Sequence, residues 1–228
     1  MSTIFSSSAK EFQNPVKVID ASISIDQYVP IDLSIANTDL KHFNIEDSSE
    51  WEIYINHFLK ERHKKVAYGG YLERRALYDR STYFNTEDKS KQRCVHLGLD
   101  LWVKAGTSVL AAFDGKVHSF KNNTNFGDYG PTIILEHELN NETFYTLYGH
   151  LSLNSISSLK VGKTFKKQEP IAVLGDASIN GDYAPHLHFQ LIKDLQGNFG
   201  DYPGVSSLEN LDFYKKNCPD PKLILGLS

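Results

Sequence analysis

Pro185-His186-Leu187-His188-Phe189-Gln190-Leu191 alternates polar and apolar side chains along its whole length, the pattern of a half-buried strand. Residues two apart leave a strand on the same side. His186 and His188 therefore share one face, while Leu187, Phe189 and Leu191 share the other. Two imidazoles projecting side by side from a core-anchored strand suit a single metal ion, or a division of work between a ligand and a proton acceptor.

A second stretch, Cys94-Val95-His96-Leu97-Gly98-Leu99-Asp100-Leu101-Trp102, lies well upstream and also alternates. In a straight strand His96 and Asp100 would have Cα atoms roughly 13 Å apart, whereas ligands of one zinc must each come within about 2.0–2.2 Å of it. Either the segment turns or only one of the two binds. Gly98, between them, is the residue that permits a turn or bulge. Two imidazoles and a carboxylate then make a three-ligand set with a fourth position left for water, the feature that separates catalytic from structural zinc. A third stretch, Tyr148-Gly149-His150-Leu151-Ser152, ends the strand-like run Thr143-Phe144-Tyr145-Thr146-Leu147 and sets His150 at a strand end beside a glycine.

His96-x-x-x-Asp100, then Gly149-His150-Leu151-Ser152, then His186-x-His188 resembles the signature of the lysostaphin/LytM-type zinc endopeptidases, which cleave cross-bridges and stem peptides of bacterial cell walls. The resemblance spans roughly residues 93–194. It implies one zinc ion held by His96, Asp100 and His188, with His150 and His186 as unligated histidines that handle protons and developing charge. It also implies a fold rich in antiparallel β structure with the metal in a groove on the sheet. The wider wording, from Tyr68-Gly69-Gly70-Tyr71 through Asp201-Tyr202-Pro203-Gly204 to Cys218-Pro219-Asp220-Pro221, resembles a bacterial subgroup in which such domains are sometimes joined to kinase-like and aminotransferase domains. That likeness favours a cytosolic peptide or small-molecule substrate over the cell wall.

The 228 residues, 40% apolar and 23% charged, suit one globular domain with an elaboration, or one and a half domains. A net charge of −4 argues against a nucleic-acid partner, which needs a basic face, and no apolar run approaches a membrane span. The start, Met1 to Lys10, lacks a basic segment and an apolar h-region. The expected location is thus cytoplasmic as the chain stands, or periplasmic or extracellular if a signal was removed. Cys94 and Cys218 lie in no Cys-x-x-Cys pattern. Cys94 is expected to pack as a small apolar side chain, with a Cys94–Cys218 bridge as the alternative.

The expected fold is mainly β: an antiparallel sheet or sandwich with duplicated hairpins, barrel-sandwich-like, carrying an N-terminal helix-containing extension. The extension is expected over 1–92 and the metallopeptidase-like domain with its tail over 93–228. Asp47 followed by Glu50, then Trp51, Tyr54, Ile55, Phe58 and Leu59 at helical spacing, predicts one amphipathic helix over about 48–64. Arg74, Arg75 and Arg80 among tyrosines read as a solvated segment with local ion pairs, or as a holder of a carboxylate or phosphate. Phe113-Asp114-Gly115 predicts a hairpin between 108–112 and 116–120, and Asn140-Asn141 a second between 132–137 and 143–147. His42, His57, His63, His118 and His137 read as structural or surface residues. Residues 1–92 either pack against the sheet or wall the groove.

The function these features lead to is zinc-dependent hydrolysis of a peptide bond, in a peptide or peptidoglycan substrate. A non-catalytic metal-binding module and a cytosolic hydrolase of small peptide-like substrates are the alternatives. A histidine phosphocarrier is a remote one, since that chemistry has no use for His96 or Asp100. A lipoyl domain needs a lysine at the hairpin tip, where this chain has Asp114-Gly115.

Overall fold

The computed structural model describes residues 15–84, 86–88 and 91–227; the first 14 residues of the expected extension lie outside them. In chain order the elements are β1 (Tyr28–Pro30), α1 (Ser48–Glu61), β2 (Val66–Gly69), β3 (Arg93–His96), β4 (Leu99–Trp102), β5 (Ser108–Leu110) and β6 (Gly115–Asn123). They continue with β7 (Gly130–Leu139), β8 (Glu142–Gly149), α2 (Asn154–Ser157), β9 (Thr164–Phe165), β10 (Pro170–Val173), β11 (His186–Ile192), β12 (Val205–Ser207), α3 (Leu211–Asn217) and α4 (Lys222–Leu225). The fold is mainly β and mainly antiparallel. Eight strands form one sheet in the order β1-β2-β4-β11-β8-β7-β6-β9, and β5/β10 and β3/β12 form two-stranded sheets. β1 and β2, both from residues before 93, pair in parallel and join that large sheet against β4.

The two faces of β11 have different partners. Leu187, Phe189 and Leu191 point into the main core with Leu99, Leu101, Ile133, Leu135 and Tyr148. The opposite face carries His186, His188 and Gln190, yet all seven residues of the strand are buried. The expectation of a half-buried strand is therefore corrected. Its second face lies between two further apolar clusters, one built by Trp51, Ile55 and Leu59 of α1 with Trp102, the other by Tyr129, Leu147, Ile192 and Tyr202. The histidines occupy the polar gap between them.

Local sequence accounts for the supports. Asp47 caps α1, its Oδ1 accepting from Ser49 N at 2.8 Å. Glu50 does not close a capping box; its carboxylate accepts from Asn44 N at 2.7 Å and pins the preceding turn instead. Asn140 and Asn141 both sit at positive φ, 52° and 63°, as a two-residue turn between β7 and β8 requires. The hairpin expected at Asp114-Gly115 does not form: β5 pairs with β10, and β6 pairs with β7 and β9. A type I′ turn needs positive φ at both centres and a type II′ turn at the first, and neither residue has it. Asp114 Oδ1 instead accepts from Lys167 N at 2.8 Å, tying the bend to the loop before β10.

Among the described residues no helix is long and apolar enough to cross a membrane. Cys94 and Cys218 are buried free thiols, so the alternative bridge is absent. Cys218 Sγ accepts from Gln190 Nε2 at 3.3 Å.

Candidate metal centre

The site is assembled by strand register. Asp100 on β4 faces His188 on β11, which on its other side faces Gly149 on β8; His150 follows at the end of β8. One row further along, Trp102 faces His186, and their rings stack at 4.0 Å and 23°. His96 comes from a different sheet. The chain leaves β3 after His96, crosses Leu97-Gly98 and re-enters as β4, so the segment does turn. Gly98 keeps an ordinary φ, and its requirement is space: a Cβ there would lie 2.5 Å from His188 Cε1 and 2.9 Å from Phe189 O.

The turn brings His96 Nε2 to 3.2 Å from Asp100 Oδ1 and 2.8 Å from His188 Nδ1, with His188 Nδ1 3.2 Å from the same Oδ1. The ligating atoms of His96, Asp100 and His188 lie within 4.8 Å of one another. Each imidazole has its other nitrogen against an oxygen acceptor, Gly70 O at 3.0 Å for His96 Nδ1 and Gln190 Oε1 at 2.9 Å for His188 Nε2. Those acceptors claim the ring protons, so the nitrogens that face each other carry lone pairs. Gln190 is oriented in turn by donating to Pro203 O at 3.1 Å. Two lone pairs and a carboxylate oxygen converging in a buried space repel one another unless a cation sits among them. The donor set, two nitrogens and one oxygen, suits zinc.

His186 and His150 flank this cluster, their rings 4.1 Å apart, with His186 Nε2 3.9 Å from Asp100 Oδ1. Both donate Nδ1–H to backbone carbonyls, His186 to Ala184 at 2.8 Å and His150 to Asn180 at 2.7 Å, which leaves each Nε2 as an acceptor. His150 holds a left-handed backbone, φ 62°, a conformation that costs about 1 kcal/mol or more in a residue with a Cβ. Its N–H to Tyr129 O, at 2.9 Å, helps to fix it.

Charge follows burial. His96 and His186 are lowered to about 4, burial being the main cause, and burial also holds His150 well below the usual imidazole range. His137, outside the site, is likewise lowered to about 4 by burial. Burial opposes ionisation of Asp100, but His96 and Arg75 outweigh it and hold the carboxyl well below the usual range. In the unfolded chain these histidines return to about 6.5, so the unfolded state binds more protons between about pH 6.5 and 4. The stability of the metal-free protein is therefore expected to fall as pH drops through that window, by roughly 1 kcal/mol per pH unit for each such histidine. Denaturant midpoints measured at about pH 7 and pH 5 check this; equal midpoints would contradict it.

Arg75, Leu77, Tyr78, Tyr83 and Phe84 line the cavity beside the cluster, so residues preceding β3 wall the site. The space within it is about 30 Å³, room for roughly one or two waters. Tyr78 stacks on His96 at 6.4 Å and 20°. Arg74 is exposed, as the solvated reading of this stretch expects, but for Arg75 and Arg80 that reading is corrected. Arg75 is 3% exposed, and its Nη1 donates to Asp100 Oδ2 at 2.6 Å. The Arg80 side chain, also buried, donates to Asp182 O at 2.5 Å. The first is held by a carboxylate of the site and the second by a loop carbonyl.

Residues 94–199 match the model of peptidase family M23. That segment is thus similar to the M23 peptidases. An uncharacterized metalloprotease of Haemophilus influenzae is 37% identical over 95 residues, covering 42% of this chain and 18% of the relative's own length. The chain thus spans less than a fifth of that curated relative. The catalytic domain of the antimicrobial peptidase lysostaphin from Staphylococcus simulans is 27% identical, over 54% of this chain and 80% of that one, with a TM-score of 0.37. A mutant catalytic domain of the prophage-encoded M23 protein EnpA from Enterococcus faecalis is 18% identical, over 51% and 81%, with a TM-score of 0.36. All five residues singled out from the sequence lie inside the segment that matches the M23 model. Glu73, Arg75 and Gly70, which also bear on the cluster, precede it.

Proposed function

We propose that the protein is a zinc-dependent peptidase that hydrolyses a peptide bond, in a peptidoglycan cross-bridge or stem peptide. The observation that carries this reading is the convergence of His96 Nε2, His188 Nδ1 and Asp100 Oδ1 as acceptors, with two neutral imidazoles beside them. His96, Asp100 and His188 would hold the ion. Zinc in such a set supplies Lewis acidity toward a carbonyl oxygen and toward water. His150 and His186 each present an unprotonated Nε2, one suited to accept a proton from the attacking water and return it to the leaving amine. The other, with the same free Nε2, would accept a hydrogen bond from that water and help to orient it. Asn180 O and Ala184 O hold both rings in the required tautomer. The aromatic wall at Tyr78 and Phe84 must yield for a peptide to enter.

The test is hydrolysis of pentaglycine and of wall stem peptides by the full chain, before and after chelation and after zinc is restored. Cleavage that disappears with chelation and returns with zinc is the expected result. A zinc-loaded protein inert toward both substrate types would favour the non-catalytic metal-binding module.

A further inference from the structure

We propose that Glu73 and Arg75, which precede the M23 segment, act as a positioning pair that presents a single oxygen of Asp100 to the bound cation. The inference rests on the reading of His96, Asp100 and His188 as ligands.

The pair is delivered by backbone pairing. Leu72 N donates to His96 O at 2.9 Å, His96 N to Glu73 O at 2.9 Å, and Arg75 N to Cys94 O at 3.0 Å. After a turn at Leu72, residues 73–75 run extended beside β3, Arg74 bridging to Val95, and Glu73 and Arg75, two residues apart, project to the same side. Arg75 Nη1 donates to Asp100 Oδ2 at 2.6 Å and its Nε to Glu73 Oε2 at 2.5 Å. Glu73 Oε1 accepts from Leu33 N at 2.9 Å, which fixes the second carboxylate. Gly70 closes the seat, since a Cβ there would lie 2.1 Å from Arg75 Nη2 and 2.8 Å from His96 Nδ1.

The two oxygens of Asp100 therefore have separate duties. Oδ2 is committed to the guanidinium, and Oδ1 faces both histidine nitrogens at 3.2 Å. A free carboxylate could rotate and share both oxygens; this one is held to offer Oδ1. Charge gives Glu73 its part. Arg75 alone would cancel the negative charge of Asp100 and weaken its attraction for a cation. With Glu73 on the other side of the guanidinium, the three groups sum to one negative charge. Outer partners of metal ligands commonly change affinity by about 10–100-fold when removed.

Zinc and cobalt affinities of the full-length protein, read by chelator competition, test the proposal in Arg75→Met, Arg75→Lys and Glu73→Gln. Arg75→Met is expected to weaken binding by about 10–100-fold. Glu73→Gln is expected to weaken it about 10-fold, since it leaves the positive charge uncompensated. Arg75→Lys should fall between wild type and Arg75→Met, because it keeps the charge but not the planar fork. The visible spectrum of the cobalt form should change in Arg75→Met, a readout that a structural latch alone would not move. If Arg75→Met does not fold, the other two variants decide. Wild-type affinity and an unchanged cobalt spectrum in the folded variants would overturn the proposal. A wild-type protein that binds neither metal would instead overturn the reading of the ligands on which the proposal depends.

Discussion

His150→Ala and His186→Ala are expected to keep their metal and to lose hydrolysis by between about a hundred- and ten-thousand-fold, the range typical of a lost acid–base group. Neither imidazole is among the three convergent donors, so the proposed ligands are intact in both variants. Each removes a buried ring whose Nδ1–H is held by a carbonyl and whose Nε2 is left to accept a proton. The variants should differ in stability. His150→Ala relieves no backbone strain, because alanine at φ 62° is strained as well. His186→Ala removes the ring stacked on Trp102 and leaves a cavity against it. Turnover and metal content measured on the same samples separate the effects. Loss of metal in either variant would move that histidine into the ligand set.

Asp100→Ala is expected to cost both metal and fold. It removes a proposed ligand oxygen and also strips a buried guanidinium of one of its two carboxylate partners. Breaking a buried ion pair from one side typically costs about 3–5 kcal/mol. Glu73 remains to hold Arg75, so a loss near the lower end, about 3 kcal/mol in the metal-free protein, is expected. Asp100→Asn keeps the shape and an oxygen acceptor for Arg75. It should retain most of the stability while still binding metal poorly. Denaturant unfolding of both metal-free variants checks this ordering; equal stabilities would mean that the Arg75 contact contributes little.

The alternation in 185–191 read correctly for direction: Leu187, Phe189 and Leu191 went to the core, His186 and His188 to the other face. What alternation could not show was a second covering layer, because α1 and the residues from 66 to 84 are remote in sequence from β11. The same pattern extended by one more step contains Gln190, the residue that sets the tautomer of His188; its position two residues beyond His188 was the available signal. Arg75 was legible only as one of three arginines that could hold a carboxylate, with nothing to single it out or to name Asp100 as the partner. In sequence it stands in a charged, tyrosine-rich stretch, and only the pairing of 72–75 with β3 buries it. The Asp114-Gly115 turn misled for a related reason. Its dipeptide suits a hairpin, but the side chain of Asp114 is taken by the backbone at Lys167. The Asn140-Asn141 turn formed where the dipeptide placed it, both residues adopting the positive φ it needs.

The central claim, that three remote segments meet to hold one divalent cation, is tested most directly by the zinc content of purified wild type and His188→Ala, measured by elemental analysis after equilibration with zinc and removal of the excess. His188→Ala is the cleanest variant because it removes a donor and leaves the Arg75–Asp100 pair in place. The account predicts one zinc per wild-type chain and almost none in the variant. A full equivalent of zinc in His188→Ala would contradict it.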